Sequence, residues 1–118
     1  MTKVQLLGMF WSSELSEDNL SVLRMTLTSM WQEITEAVEE FTKQRLEHAE
    51  QLLLRVVENY IPIVKKYASG TTIEFYAEIF EDVVKHYLSQ RKVKHALDVA
   101  ITYLTKMFEE LNRLLRRE

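Results

Sequence analysis

The sequence predicts an all-α fold, an antiparallel helical bundle of three to four long helices completed by homodimerisation. Three observations predict it. Gly8, Pro62 and Gly70 are the only glycines and proline, so 53 consecutive residues before Pro62 carry no strong helix breaker, nor does anything after Gly70. Glycine costs a helix interior about 1 kcal/mol and proline about 3, so long helices go unopposed. Apolar residues recur at steps of three and four along most of the chain, the period of a one-sided helix. Finally, the stretch 52–64 is apolar around more of its circumference than one stripe needs, which marks a helix buried on several sides.

A length of 118 residues suits one domain, read here as an apolar N-terminal arm (1–15) followed by a single helical-bundle domain (16–118). Hydrophobic content of 47% with 28% charged residues excludes a disordered chain. Net charge is −3, unevenly spread: residues 1–60 hold ten acids against five bases, and residues 61–118 hold eight against ten. Such polarity favours antiparallel neighbours over nonspecific nucleic-acid binding. The absence of cysteine excludes disulfides and thiol chemistry. No run approaches the ~20 apolar residues of a membrane span, and the start is too short and too poor in bases for a signal peptide. The expectation is an intracellular, soluble protein.

Along the chain, Ser16 is the expected N-cap of the first helix, with Glu17 and Asp18 at its positive end. Leu20, Leu23, Leu27, Met30, Ile34, Ala37 and Phe41 then form a heptad seam. A second seam runs Leu46, Ala49, Leu53, Val56, Tyr60, Ile63 and Tyr67. The five-residue step from Phe41 to Leu46 is either a stutter in one helix or a turn at Thr42-Lys43-Gln44. With no good turn former there, the rules favour one continuous helix. Such a rod, from Ser16 towards Ile61, would be ~65–70 Å long at 1.5 Å per residue and would require a second subunit to cover it. The turn alternative gives an up-down bundle of helices near 17–41, 45–68, 72–89 and 92–117. Pro62 should kink its helix or start another, and Gly70 should end it. Thr71 and Glu74 fit a capping box for the third rod, whose apolar face is Ile73, Tyr76, Ala77, Phe80, Val83, Val84, Tyr87 and Leu88. After a joint at Ser89–Lys92, the last seam is Val93, Leu97, Ala100, Leu104, Met107, Leu111 and Leu114, widened by Ile101, Phe108 and Leu115. No internal repeat stands out on this reading.

Catalytic and metal signatures are missing. Helical di-metal sites need Glu-x-x-His, and the residues three before His48, His86 and His95 are Arg45, Val83 and Lys92. The acids Glu33, Glu36, Glu39 and Glu40 read as a solvated helix face. Asp82 and His86, four apart, read as a surface ion pair with no third catalytic member. Two isolated glycines cannot make a phosphate loop. The reading is no enzyme, no metal and no cofactor.

What remains is surface. Val4, Leu6, Leu7, Met9, Phe10 and Trp11 form an apolar arm that can add to a partner, wedge into a membrane interface or fold over the end of its own bundle. Leu53, Val56, Val57, Tyr60, Ile61 and Val64 are the expected self-association seam. Lys85, Arg91, Lys92 and Lys94, with no acid among them, are the candidate phosphate contacts. Trp31 is expected in the core or an interface. The function expected is therefore a noncatalytic interaction or assembly protein, a self-associating scaffold or adaptor. Its expected partner is itself, as a homodimer or higher. Short helical chains of this kind are common among viral accessory and virion proteins. The alternatives are a nucleic-acid-associated or transcription-related regulator working through the 85–95 corner, and a peripheral membrane protein working through residues 4–11.

Overall fold

A computed structural model describes residues 15–116, so the apolar arm assigned to residues 4–11 lies outside the described residues. The described residues form helices joined by short turns, with no strand among them. Helix α1 spans Glu17–Thr42. A second rod is built from α2 (Leu46–Arg55), a π-helical turn (Val56–Tyr60) and α3 (Ile61–Tyr67). Helices α4 (Thr72–Ser89) and α5 (Val93–Leu115) make the third and fourth rods.

The chain reverses at each joint. Asn19 at the start of α1 donates its side-chain amide to the Tyr67 carbonyl at the end of α3 (3.3 Å), while Arg55 reaches Glu33 (3.6 Å) and His48 reaches Glu40 (3.5 Å). Those pairings are antiparallel. Tyr76 against Tyr103 and Tyr87 against His95 fix the same sense for α4 and α5. Each rod packs on the next in sequence, α5 closes back onto α1, and α1 and α4 sit diagonally without contact. The arrangement is an up-down bundle of four rods.

The continuity favoured from sequence across residues 41–46 is therefore corrected. Helix α1 stops at Thr42, and Lys43-Gln44-Arg45 turn the chain with Gln44 in the left-handed region at φ 63°. Arg45 N–H bonds the Glu40 carbonyl (2.8 Å) and Gln44 N–H bonds that of Phe41 (2.9 Å), the two bonds of a Schellman motif. The motif usually takes glycine, which is why glutamine gave no turn signal. The joint after α4 repeats it: Lys92 N–H bonds the Tyr87 carbonyl (2.9 Å), Arg91 N–H bonds that of Leu88 (3.0 Å), and Arg91 has φ 60°. Both turns lie at one end of the bundle.

Helix starts follow expectation. The Ser16 hydroxyl accepts from Asn19 N–H (3.1 Å), and that of Thr71 accepts from Ile73 N–H (3.1 Å) and Glu74 N–H (3.4 Å). Glu74 reaches back to Gly70 N–H (3.0 Å), one residue earlier than a standard capping box, because Thr71 N–H already bonds the Ala68 carbonyl. Gly70 itself has φ 82°.

The core uses the predicted rows with one phase change. All seven residues of the last seam are buried, as are Leu23, Leu27, Met30, Ile34 and Ala37 of the first. The second seam slips. Ala49, Leu53 and Val56 are buried, but beyond them the inward row is Val57, Ile61, Val64 and Ala68 rather than Tyr60, Ile63 and Tyr67. The π turn explains the slip: Ile61 N–H bonds the carbonyl of Val56, five residues back, so one extra residue enters the turn and rotates the rest of the rod. Pro62 follows directly. It has no N–H to give Glu58 and its ring would crowd that carbonyl, so the widened turn absorbs it.

This packing also accounts for the apolar surplus of 52–64. Leu52, Leu53, Val56, Val57, Ile61 and Val64 are at most 2% exposed because the rod is flanked by α1 and α4 and touches α5 across the diagonal. Of the row assigned to self-association, only Tyr60 is half-exposed. The rest is buried within one chain, and a second copy is not required to cover it.

A positive φ costs a non-glycine residue ~1–2 kcal/mol, partly offset by glycine's larger unfolded-state entropy. Gln44→Gly and Arg91→Gly are each expected to raise unfolding free energy by about 0.5–1 kcal/mol in urea titrations. Thr71→Ala is expected to lower it by about 1 kcal/mol through the lost cap, and Phe80→Ala by about 3–5 through a cavity.

Candidate functional site

The polar groups singled out in the sequence are largely structural or dispersed. Glu36 and Glu39 are solvated as expected, but Glu33 and Glu40, seven apart, turn towards α2. Glu40 is 8% exposed and pairs with Arg45 (3.5 Å) and His48 (3.5 Å). One Glu33 oxygen is buried without a hydrogen bond, with the Arg55 guanidinium 3.6 Å away. These acids hold α1 against α2, which overturns the solvated-face reading for two of the four. Asp82 and His86 are both exposed and form no ion pair, and His86 lies against Tyr87 instead (5.7 Å between centroids). Among the described residues, no group of three His, Cys, Asp or Glu side chains is placed to hold a metal.

The basic corner divides. Lys85 pairs with Glu81 (3.5 Å) and Lys94 with Asp98 (3.3 Å), each on its own helix. Arg91 and Lys92 are exposed in the α4–α5 turn, and Arg91 there is bound up with the turn's backbone geometry. Two of the four cations are thus paired with acids of their own helices.

Apolar surface is where the outside of the bundle is distinctive. Phe75 is 58% exposed, pointing away from the core-facing row of α4. Its ring lies 6.1 Å from that of Tyr76, which lies 6.1 Å from that of Tyr103 on α5, with Lys106 Nζ 5.9 Å from the Tyr76 ring. Edge-tilted pairs at this spacing are favourable aromatic contacts, and the ammonium adds a cation–π attraction. Along α4 the half-buried Tyr76, Val83 and Tyr87 continue the strip, with Val99 and Tyr103 from α5. Tyr87 ends it against His95 (5.3 Å). From Phe75 to Tyr87 the strip is ~18 Å long at 1.5 Å per residue. Phe75 was not a site residue on sequence grounds; its signal is a large apolar side chain out of phase with Ile73, Ala77 and Phe80.

A second apolar surface follows the α1–α5 edge. Glu17, Leu20, Ser21 and Arg24 of α1 and Leu114 and Leu115 of α5 line a groove of about 270 Å³. Trp31 lies on the same flank of α1 as Leu20, three turns further on, and is 46% exposed, so of the two positions expected for it, core or interface, the core is excluded. Leu115, Phe108 and Ile101, seven apart, form the facing row on α5.

Equivalent positions in the two hairpins match, a correspondence at odds with the expectation of no internal repeat. His48-Ala49 follows the first turn and His95-Ala96 the second, with each Ala buried and each His against the residue that caps the turn, Glu40 or Tyr87. The signal is there at an offset of 47 residues. Comparison with protein-family models, curated proteins and solved structures yields no match to this chain. Among the described residues, no helix is long and apolar enough to cross a membrane.

One ion pair sets a pH dependence. Lys65 donates to Glu81 (3.1 Å), and that hydrogen bond, opposed by burial, holds the Glu81 carboxyl below its usual 4.5 and the Lys65 ammonium above its usual 10.5. The Glu81 contribution is complete above pH 4.5 and is lost as pH falls through the lowered folded value. The Lys65 contribution is complete below pH 10.5 and is lost as pH rises through the raised one. Glu81→Gln is expected to cost up to about 1 kcal/mol at pH 7, since the pair is partly exposed, and to flatten part of the acid limb of a stability–pH profile.

Proposed function

We propose that this protein is a noncatalytic interaction and assembly module that binds a helical partner along the outer face of the α4–α5 hairpin. A second copy of the chain is the simplest such partner. The observation that supports this reading is Phe75. It stands 58% exposed on a bundle whose core is already closed, in contact with a strip of tyrosines rather than isolated among charges. Single exposed apolar residues need no explanation, whereas contiguous aromatic ones characterise contact surfaces. The strip runs along the seam between two antiparallel helices. That seam is a furrow into which side chains spaced three and four apart on a third helix can pack.

The nucleic-acid reading has weaker support, because Lys85 and Lys94 are each neutralised by an acid on their own helix. Membrane association through residues 4–11 concerns a segment outside the described residues.

Sedimentation equilibrium across nanomolar to high micromolar concentrations tests the proposal. Self-association is expected, and Phe75→Ser, which removes an aromatic anchor without touching the core, is expected to weaken it by ~30-fold or more. A monomer at every concentration, or a dimer indifferent to Phe75→Ser, would remove self-association through this face.

A further inference from the structure

We propose that the α1–α5 face is a contact surface for a second copy of the chain, laid antiparallel across a two-fold axis at Trp31, with Arg24 of each copy meeting Glu39 of the other. This face is separate from the α4–α5 strip, and the inference does not rest on that reading.

Periodicity carries the first part of the argument. Each helix of this face carries a second heptad-spaced row, one residue on from its core row. On α1 the row is Arg24, Thr28, Trp31, Thr35 and Val38. On α5 it is Ile101, Thr105, Phe108, Asn112 and Leu115. Steps of four and three on two neighbouring helices are the spacing that packs against further helices. Trp31 is 46% exposed and Leu115 39%. Threonine hydroxyls on the face are already satisfied. Thr28 donates to the Arg24 carbonyl and Thr105 to that of Ile101 (both 2.7 Å), so each can be covered without orphaning a donor.

Symmetry carries the second part. Leu20 and Leu115 line one groove and are therefore level along the bundle. Because α5 runs opposite to α1, Trp31, eleven residues on from Leu20, is level with Leu104 and Thr105. A two-fold axis across the face at that level makes the surface self-matching. On α1 it sets Trp31 against Trp31 of the second copy. On α5, Ile101 and Phe108 lie ~5 Å to either side of the axis, so each Phe108 packs on Ile101 of the other copy. Arg24 and Glu39 lie on opposite sides of Trp31, ~10–12 Å from it along the helix. Both are exposed, and neither forms an ion pair among the described residues. Separated by ~22 Å of one helix, they cannot meet within a chain. The axis brings them together between chains.

Size and charge permit the contact. From Arg24 to Thr42 the face is ~27 Å long, and two helices 8–10 Å apart make it ~18–20 Å wide. That footprint of ~500 Å² per copy totals ~1,000 Å², the lower bound for a specific interface. Lys94 and Asp98, at its edge, already pair with each other (3.3 Å).

Sedimentation equilibrium of the full chain carrying Phe75→Ser tests this face alone. A dimer is expected at micromolar concentration. Trp31→Ser is expected to weaken it ~10-fold or more with helical circular dichroism retained. Arg24→Glu and Glu39→Arg are each expected to weaken it severalfold, and the two together to restore it, because the exchanged charges meet again between copies. A monomer throughout would overturn the proposal, whatever the α4–α5 strip does in the unaltered protein. So would a dimer indifferent to Trp31→Ser, or a double charge variant no tighter than the single ones.

Discussion

Whether this chain hides its apolar faces within itself or against another molecule depends on the reversal at Lys43–Gln44–Arg45. Two apolar rows, Leu23 to Ala37 and Ala49 to Val64, lie on either side of it. With the turn made, they face each other, the Glu33–Arg55 and Glu40–His48 contacts form, and α5 can close the fourth side. Without it, the same rows lie on one long rod and stay open to water. The turn is made at a conformational cost, a glutamine at φ 63°, and the buried area of two helices offsets that cost.

The π turn solves a related problem one helix later. Pro62 would break the hydrogen-bond ladder of an ordinary helix in the middle of a rod flanked by α1 and α4. Accommodating one extra residue at Val56–Tyr60 keeps the rod running and turns Ile61, Val64 and Ala68 inward in place of Tyr60, Ile63 and Tyr67. The exchange is favourable in packing terms, because small aliphatic side chains fit between α1 and α4 where two tyrosine hydroxyls would need partners.

Legibility from sequence followed the strength of the local signal. The seam from Val93 to Leu114 was readable residue by residue because twenty-three residues of unbroken period leave one solution. The Ser16 and Thr71 caps were readable because hydroxyl-capped starts have few alternatives. The turn at Gln44 was not, since a left-handed glutamine is selected by tertiary packing and not by propensity. Its twin at Arg91, preceding the same His-Ala pair, was the clue that two hairpins share one design. Surface function was the least legible. Phe75 and Trp31 acquire meaning only once the core is known to be full without them. The apolar surplus of 52–64 suggests a shared dimer core because composition alone does not reveal that the other three rods of the same chain pack around it.

The absence of cysteine permits the most direct test of this account, because two engineered thiols can be labelled cleanly. Asp18 and Lys66 are exposed positions at the start of α1 and the end of the second rod, close to the Asn19–Tyr67 contact. Spin labels placed there, in protein diluted with an excess of unlabelled chains, report the intramolecular distance by double electron–electron resonance. A hairpin of packed helices predicts a single distance of roughly 20 Å, from an ~8–10 Å axis separation plus label length. A continuous helix through residues 42–46 would instead place the labels ~70 Å apart at 1.5 Å per residue, and that result would contradict the fold described here.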